Sequence, residues 1–229
     1  MDIALLLCKN NSKGLKGKNL LKYKGISLIE HTIKDLKKNK CFQKIFISSE
    51  SDKILNLAKK LNCEPIRRNK SLTKNSAYIR SVNHACNIIG MFDTLTIAMP
   101  VQPLREQNIF VKMKRKLIRE KLDSVVTVEK FDASPSWIYR KNKKQIFKLR
   151  QIEYTSESAR RSDLVYLNNA IVIFTYNSWK KSKSITPWPY LGKKIGFIQQ
   201  KLINQNIKVD INNYEDYQWL NILEKKKVI

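Results

Sequence analysis

The stretch Ile3–Ile33, IALLLCKNNSKGLKGKNLLKYKGISLIEHTI, decides how this chain is read. It opens on an unbroken apolar run, Ile3–Leu7, of the length and composition of a strand buried on both faces. It closes on a helical pattern, with Leu28, Ile29, Ile33 and Leu36 on one side and Ser27 placed to cap the first turn. Between them lies a polar loop with two glycines and four lysines, Gly14 and Gly17 among Lys9, Lys13, Lys16 and Lys18. A loop between a first strand and a first helix, at the carboxyl edge of a parallel sheet, is where nucleotide phosphates bind. The glycines let backbone approach a ligand, and the lysines offer point charges to a triphosphate. Neither GxxxxGK[ST] nor GxGxxG is present, which disfavours Walker-type hydrolysis and dinucleotide binding. A solvated, lysine-rich turn is the competing explanation of the loop taken alone.

Outward from this stretch, strand-length apolar runs alternate with helical patterns, the signature of βα units on a mostly parallel sheet. KIFISS (44–49) reads as a second strand, DKILNLAKKLN (52–62) as a helix and CEPI (63–66) as a short strand. YIRSVNHACNIIG (78–90) reads as a helix ending at its glycine, TLTIAM (94–99) as a strand, QNIFVKMKRKLIREK (107–121) as a helix and SVVTVEK (124–130) as a strand. From Phe131 to Leu164 the chain turns polar with aromatic patches, and resembles an excursion from the sheet more than another unit. Regularity returns at NNAIVIFTYNSW (168–179), and the chain closes with a strand at IKVDI (207–211) and a helix at YEDYQWLNILEKK (214–226). The expectation is one domain, 1–229, with the 131–164 segment inserted in it.

The formal net charge is +26, from 45 Lys and Arg against 19 Asp and Glu, which by itself points to a polyanionic partner. The basic residues are spread along the whole chain, and lysine supplies 35 of the 45, so the excess is a compositional habit more than a patch. No helix-turn-helix, ribonucleoprotein or zinc-finger pattern supports nucleic acid as the main partner. Cysteines 8, 41, 63 and 86 form no CxxC pair, so they suggest neither a zinc site nor a disulfide framework. Ile3–Leu7 is too short for a signal or membrane segment, and a cytoplasmic protein without a membrane partner is expected. His31 and His84 lie on helical faces and read as partly buried helix residues rather than catalysts.

The loop does not stand alone. CKNNSKGLKGKNL followed by GISLIEHTI resembles the N-terminal signature of the acylneuraminate cytidylyltransferase family, the CMP-sialic acid synthetase group, usually seen as ARxGSKGLKGKN and GKPLIxxTI. Further segments follow in order: KIFISSES is similar to VVVSTDS, MPVQPLR to QPTSPLR, DSVVTV to DSVVSV, NNAIVI to NGAIYI and KVDINNYEDY to SVDIDTEEDF. The resemblance spans nearly the whole chain and identifies it as a divergent member. It implies an α/β fold, a Rossmann-like mostly parallel sheet of the nucleotide-diphospho-sugar transferase type, with residues 131–164 as a dimerisation arm.

What the resemblance implies chemically is transfer of CMP from CTP to a hydroxyl of a sialic-acid-like keto sugar acid, with loss of pyrophosphate, in a homodimer using Mg²⁺. Lys9, Lys18 and Asp210 take the catalytic positions. Lys9, Ser12, Lys13, Lys18, Asn19 and Arg68 fall at nucleotide-binding positions, Lys9 standing where the family has arginine and so lacking the bidentate fork. Met99, Gln102, Arg105, Arg160, Arg161 and Asn168 fall on the sugar side. Met99 replaces a glutamine, for which Gln102 is a substitute, and an ordinary ion pair competes with the sugar role of Arg105. Asp210 and Asn212 occupy the metal pair, where the family has two aspartates; an amide can still ligate through oxygen but adds no charge. If Asn212 is a ligand, Asn212→Asp lowers the Mg²⁺ requirement. Lys74–Tyr78 departs from the family's DTASS, and Val172 from its tyrosine. Those departures keep two alternatives open: the same fold with another base or a sugar-phosphate acceptor, and a catalytically weak nucleotide-binding relative.

Overall fold

The computed structural model describes residues 1–12, 14–73, 77–130, 139–141, 146–148, 165–182, 188–200 and 209–226. β1 (Asp2–Leu7) is buried from Ile3 onward, and its side chains alternate between two cores. Ala4, Leu6 and Cys8 face one apolar layer, while Ile3, Leu5 and Leu7 face the other. That double burial is why the run is continuously apolar.

The loop after β1 carries a feature not read in the sequence, a small hairpin of β2 (Lys22–Tyr23) and β3 (Ile26–Ser27). α1 (Leu28–Lys38) then starts on the expected cap: the Ser27 hydroxyl accepts from the Glu30 N–H, and the Glu30 carboxylate accepts from the Ser27 N–H. There follow β4 (Lys44–Ser49), α2 (Asp52–Lys60), β5 (Glu64–Arg67), α3 (Ala77–Ile89), β6 (Thr94–Ala98), α4 (Ile109–Arg119) and β7 (Ser124–Lys130). β8 (Tyr139–Lys141) and β9 (Ile146–Lys148) pair antiparallel with each other and not with the main sheet. The remainder of the expected arm, 131–164, lies outside the described residues. β10 (Val165–Thr175), α5 (Tyr176–Lys181), β11 (Ile195–Gln199) and α6 (Tyr214–Lys225) complete the chain.

The main sheet has seven strands in the order β11-β7-β10-β6-β1-β4-β5. All its pairings are parallel except those of β10, which runs antiparallel to both β6 and β7. The reversal brings the start of β10 to the same sheet edge as the end of β6, with Ile171 opposite Ala98. β1 lies between β4 and β6, so chain order reverses beside it, and the carboxyl edge there is the crevice where such sheets hold ligands.

Two expectations are corrected. The strand at IKVDI is absent among its described residues: Val209, Asp210 and Ile211 belong to no ladder. Its apolar alternation comes instead from Val209 and Ile211 packing into a third cluster with Val101, Leu220 and Leu223, while the Ile211 N–H donates to Val101 O at 2.9 Å. β11 went unread because its alternate residues Ile195 and Phe197 are exposed, so its apolar pattern does not mark a buried face. Cys8, Cys63 and Cys86 are buried free thiols, and burial pushes Cys8 and Cys86 up to about 12, well out of reactive range. Among the described residues no helix is long and apolar enough to cross a membrane.

Candidate active site

A cleft of about 480 Å³ opens at the carboxyl edge, beside the ends of β1, β5 and β6. The loop after β1 forms one wall. Gly17, at φ +70°, turns the chain so that its N–H donates to Asn10 O at 2.8 Å. Asn19 is buried, and its side-chain amide donates to Lys9 O at 2.9 Å, so this residue braces the loop from behind. Asn10 is anchored in turn, its N–H donating to Glu50 Oε1 at 2.8 Å. These contacts explain a lysine-rich loop that is nonetheless fixed: its amide, glycine and backbone groups hold one another, and Lys9 and Lys18 line the cleft.

Lys18 crosses to the opposite wall. Its Nζ donates to Ile211 O at 2.7 Å and to Asn212 Oδ1 at 3.1 Å, joining positions 193 residues apart. Burial holds this ammonium below the ordinary lysine range; Asp210 opposes that shift and Lys9 adds to it. The loop and the 210–212 segment approach so closely that a Cβ on Gly14 would lie 2.2 Å from Asn212 O. Position 14 therefore requires glycine for a steric reason, independent of backbone angle.

Arg68, just beyond β5, forms the back of the cleft. Its guanidinium pairs with Glu50 at 3.2 Å with both side chains buried, and its Nε has no partner among the described residues. Leu72, Thr73, Tyr78 and Ser81 line the same end. Tyr78 is fixed by its neighbours: Tyr190 donates to its oxygen at 3.2 Å, Trp188 packs edge-on at 5.2 Å, and burial pushes the phenol up to about 12. At the other end stand Met99, Val101, Gln102 and Asn169, together with Asp210 and Asn212.

Of the residues read from the sequence, Lys9, Ser12, Lys18, Asn19, Arg68, Met99, Gln102, Asp210 and Asn212 all line this cleft. Lys13, Arg160 and Arg161 lie outside the described residues. Arg105 is placed elsewhere, with its side chain buried against Asp35 at 3.1 Å, Thr32 Oγ1 at 3.0 Å and Met99 O at 2.8 Å. It secures the turn after β6 to α1, the ion-pair role that competed with the sugar role. Asn168 also stands behind the cleft: its Oδ1 accepts from Thr127 and the Ala170 N–H, and its Nδ2 donates to Glu129. Tyr78 was visible in the sequence only as a departure from a motif. Asn169 was not singled out at all, although it follows Asn168 in the NNAIVI segment.

Asp210 is the sole carboxylate among the described lining residues, is exposed, and its carboxylate takes no hydrogen bond or ion pair among them. One carboxylate plus substrate phosphate oxygens is a sufficient ligand set for Mg²⁺. The oxygen of Asn212 already accepts from Lys18. The residues therefore fit a cation held by Asp210 and the nucleotide, with Asn212 engaged by an ammonium.

A profile of the family described as "Cytidylyltransferase" matches residues 3–224. The pseudaminic acid cytidylyltransferase of Campylobacter jejuni subsp. jejuni serotype O:23/36 is 21% identical over 231 residues, covering 98% of this chain and 96% of that one. The N-acylneuraminate cytidylyltransferase of Escherichia coli O18:K1:H7 is 26% identical over 140 residues, 60% of this chain, and the match spans only 33% of that longer protein. Among solved structures, a CMP:2-keto-3-deoxy-manno-octonic acid synthetase complexed with CTP superposes with a TM-score of 0.71 at 10% identity, covering 99% of both chains. A 4-diphosphocytidyl-2C-methyl-D-erythritol synthase from Anaerococcus prevotii gives 0.65 at 14% identity, covering 97% and 98%. At such identities the likeness concerns the fold, which is that of the nucleotidyltransferases. A match running almost end to end means that this chain belongs to the cytidylyltransferase family.

Proposed function

We propose that this protein transfers CMP from CTP to a hydroxyl of a sialic-acid-like keto sugar acid. The observation that carries the reading is the convergence of Lys9, Lys18 and Arg68 on one cleft with Asp210, the one carboxylate among its described lining residues. In the reaction the sugar oxygen bonds to the α-phosphorus, the bond from that phosphorus to the bridging oxygen breaks, and pyrophosphate leaves as the hydroxyl proton is lost. Negative charge grows on the departing oxygen, and preorganised cations aimed at it lower the barrier. In this reading Lys9 and Lys18 meet the β- and γ-phosphates, supported by a loop already braced by its own hydrogen bonds. Arg68, steadied by Glu50, has a spare Nε–H for an acceptor on the base. Mg²⁺, when bound, would neutralise the triphosphate, held by Asp210 and phosphate oxygens.

The sugar-acid half of the reading is supported by the names of the relatives, both acting on acidic nine-carbon sugars by those names. A rival reading, another base on the same scaffold, is favoured by Tyr78, a buried aromatic at the Arg68 end of the cleft where the family's DTASS segment has a small polar residue. Pyrophosphate release measured with each of the four nucleoside triphosphates, against N-acetylneuraminate and pseudaminate, separates the two. Turnover with CTP alone supports the proposal. Turnover with a different base transfers the assignment to the rival, and nucleotide binding without turnover points to a non-catalytic relative.

Gly14→Ala offers a narrower check. The added Cβ must drive the loop from Asn212 O, stretching the Lys18 contacts across the cleft. CTP affinity measured by calorimetry is expected to fall roughly 10-fold, the value of one weakened charged contact, in a protein that still unfolds cooperatively. Unchanged affinity would detach the loop from nucleotide binding. The homodimer also belongs to this proposal. Light scattering at micromolar concentration should give twice the chain mass, and a strictly monomeric mass removes it.

A further inference from the structure

We infer that Asn169 is a specificity-determining residue on the acceptor side of the cleft, supplying a carboxamide that recognises a polar substituent of the sugar acid. The inference rests on the proposed reaction for the identity of the acceptor, and on the structure for the residue.

Asn169 sits at φ +59°, in the left-handed region that glycine enters freely and other residues seldom do. It lies in an irregularity of β10, whose pairing with β7 shifts register between Leu167 and Val172. Bulges of this kind re-aim a side chain beside a site, and backbone held in a sparsely populated region marks positions where the aim matters. The aim is into the cleft, which Asn169 lines. Its carboxamide takes no hydrogen bond among the described residues. Of the neighbouring amides, Asn168 is held by Thr127, Glu129 and the Ala170 N–H, and Gln102 spends one Nε2 proton on Asn168 O at 2.7 Å.

Beside it stands a position with no polar side chain. The Met99 N–H donates to Ala170 O at 3.0 Å, which sets residue 99 opposite Ala170, one position along the chain from Asn169. Met99 contributes only an apolar thioether to the cleft wall. An acceptor pocket for a hydroxylated acid needs a donor and an acceptor at this wall. Asn169 offers both with neither taken up among the described residues, one position along from the residue opposite Met99. The group it suits is a hydroxyl, an acylamino group or a carboxylate of the sugar, each able to take an amide N–H.

The test compares the native protein with Asn169→Gly and with Asn169→Gly combined with Met99→Gln. Glycine adopts φ +59° without strain, so it removes the amide while leaving the bulge in place. Steady-state pyrophosphate release at saturating CTP and Mg²⁺ gives KM for N-acetylneuraminate and pseudaminate, and calorimetry gives CTP affinity separately. The expected result is a KM for the accepted sugar acid raised about 10-fold in Asn169→Gly, the worth of one hydrogen bond to a buried polar group. CTP affinity should stay within twofold and the melting temperature should hold or rise. Met99→Gln in that background should recover most of the loss, because it returns an amide to the adjoining position. If Asn169→Gly leaves KM unchanged, Asn169 only tolerates a left-handed turn, and the inference is overturned while the proposed reaction stands. If the native protein binds CTP yet releases no pyrophosphate with either acid, the acceptor assignment fails and takes this inference with it.

Discussion

Asp210→Ala is expected to lower kcat/KM at least ~100-fold, the scale on which removal of one preorganised electrostatic group from a transition state is felt. The physical case is scarcity. The described lining residues bring Lys9, Lys18 and Arg68 into the cleft and a single carboxylate against them. A triphosphate needs a divalent cation for charge neutralisation in line with the attack, and Mg²⁺ takes one or two protein carboxylates along with phosphate oxygens. With Asp210 gone, no protein carboxylate among the lining residues remains. Folding should be unaffected, because Asp210 is exposed and its carboxylate takes no hydrogen bond or ion pair among the described residues. The neighbouring turn is held by other groups: Asp216 accepts from the N–H groups of Asn212 and Asn213, and Asn213 caps α6. Calorimetry supplies a readout apart from turnover. CTP should bind Asp210→Ala in EDTA as well as it binds the native protein, or better, since a like charge has left the triphosphate's surroundings. The gain in affinity that Mg²⁺ confers on the native protein should be lost. If Mg²⁺ strengthens CTP binding equally in both, Asp210 is not where the cation is held.

What the sequence disclosed and what it concealed follow one physical division. The β1 run, the Ser27–Glu30 capping box and the helix ending at Gly90 were legible because each is a local pattern: double burial, reciprocal capping, a left-handed stop. The direction of β10 was not, since a buried strand reads the same whether its neighbours run with it or against it. Asp210 and Asn212 were found through a motif although the strand assigned to them is not there, because the alternation of Val209 and Ile211 records a buried face and not a ladder. Arg105 shows the converse. A motif marked it for the sugar, yet Asp35 and Thr32, 70 and 73 residues away, claim its guanidinium. Asn169 reached the cleft through a bulge and a strand reversal, neither of which leaves a periodic trace.

Lys18→Ala is expected to raise KM for CTP, or to cut turnover, by at least ~10-fold and up to ~100-fold, as a charged hydrogen bond is worth ~1.5–3 kcal/mol. The ammonium has three protons, and two are spent across the cleft on Ile211 O and Asn212 Oδ1, which leaves the third for a phosphate. Alanine therefore removes a phosphate contact and a strut between walls together. The strut also bears on Asn212. Were its oxygen open to Mg²⁺, Asn212→Asp would lower the Mg²⁺ requirement, the expectation drawn from the motif. With that oxygen already holding Lys18, an aspartate there converts a weak contact into a charge-assisted one and draws the ammonium away from the phosphates. CTP affinity in EDTA should then fall in Asn212→Asp, and fall much less when the same change is made in Lys18→Ala, where there is no ammonium to capture. A coupling of ~1 kcal/mol or more in this double-mutant cycle, within the range for residues in contact, assigns Asn212 to the positioning of Lys18. Strictly additive losses, with half-maximal rate at lower Mg²⁺ in Asn212→Asp, would return position 212 to the metal.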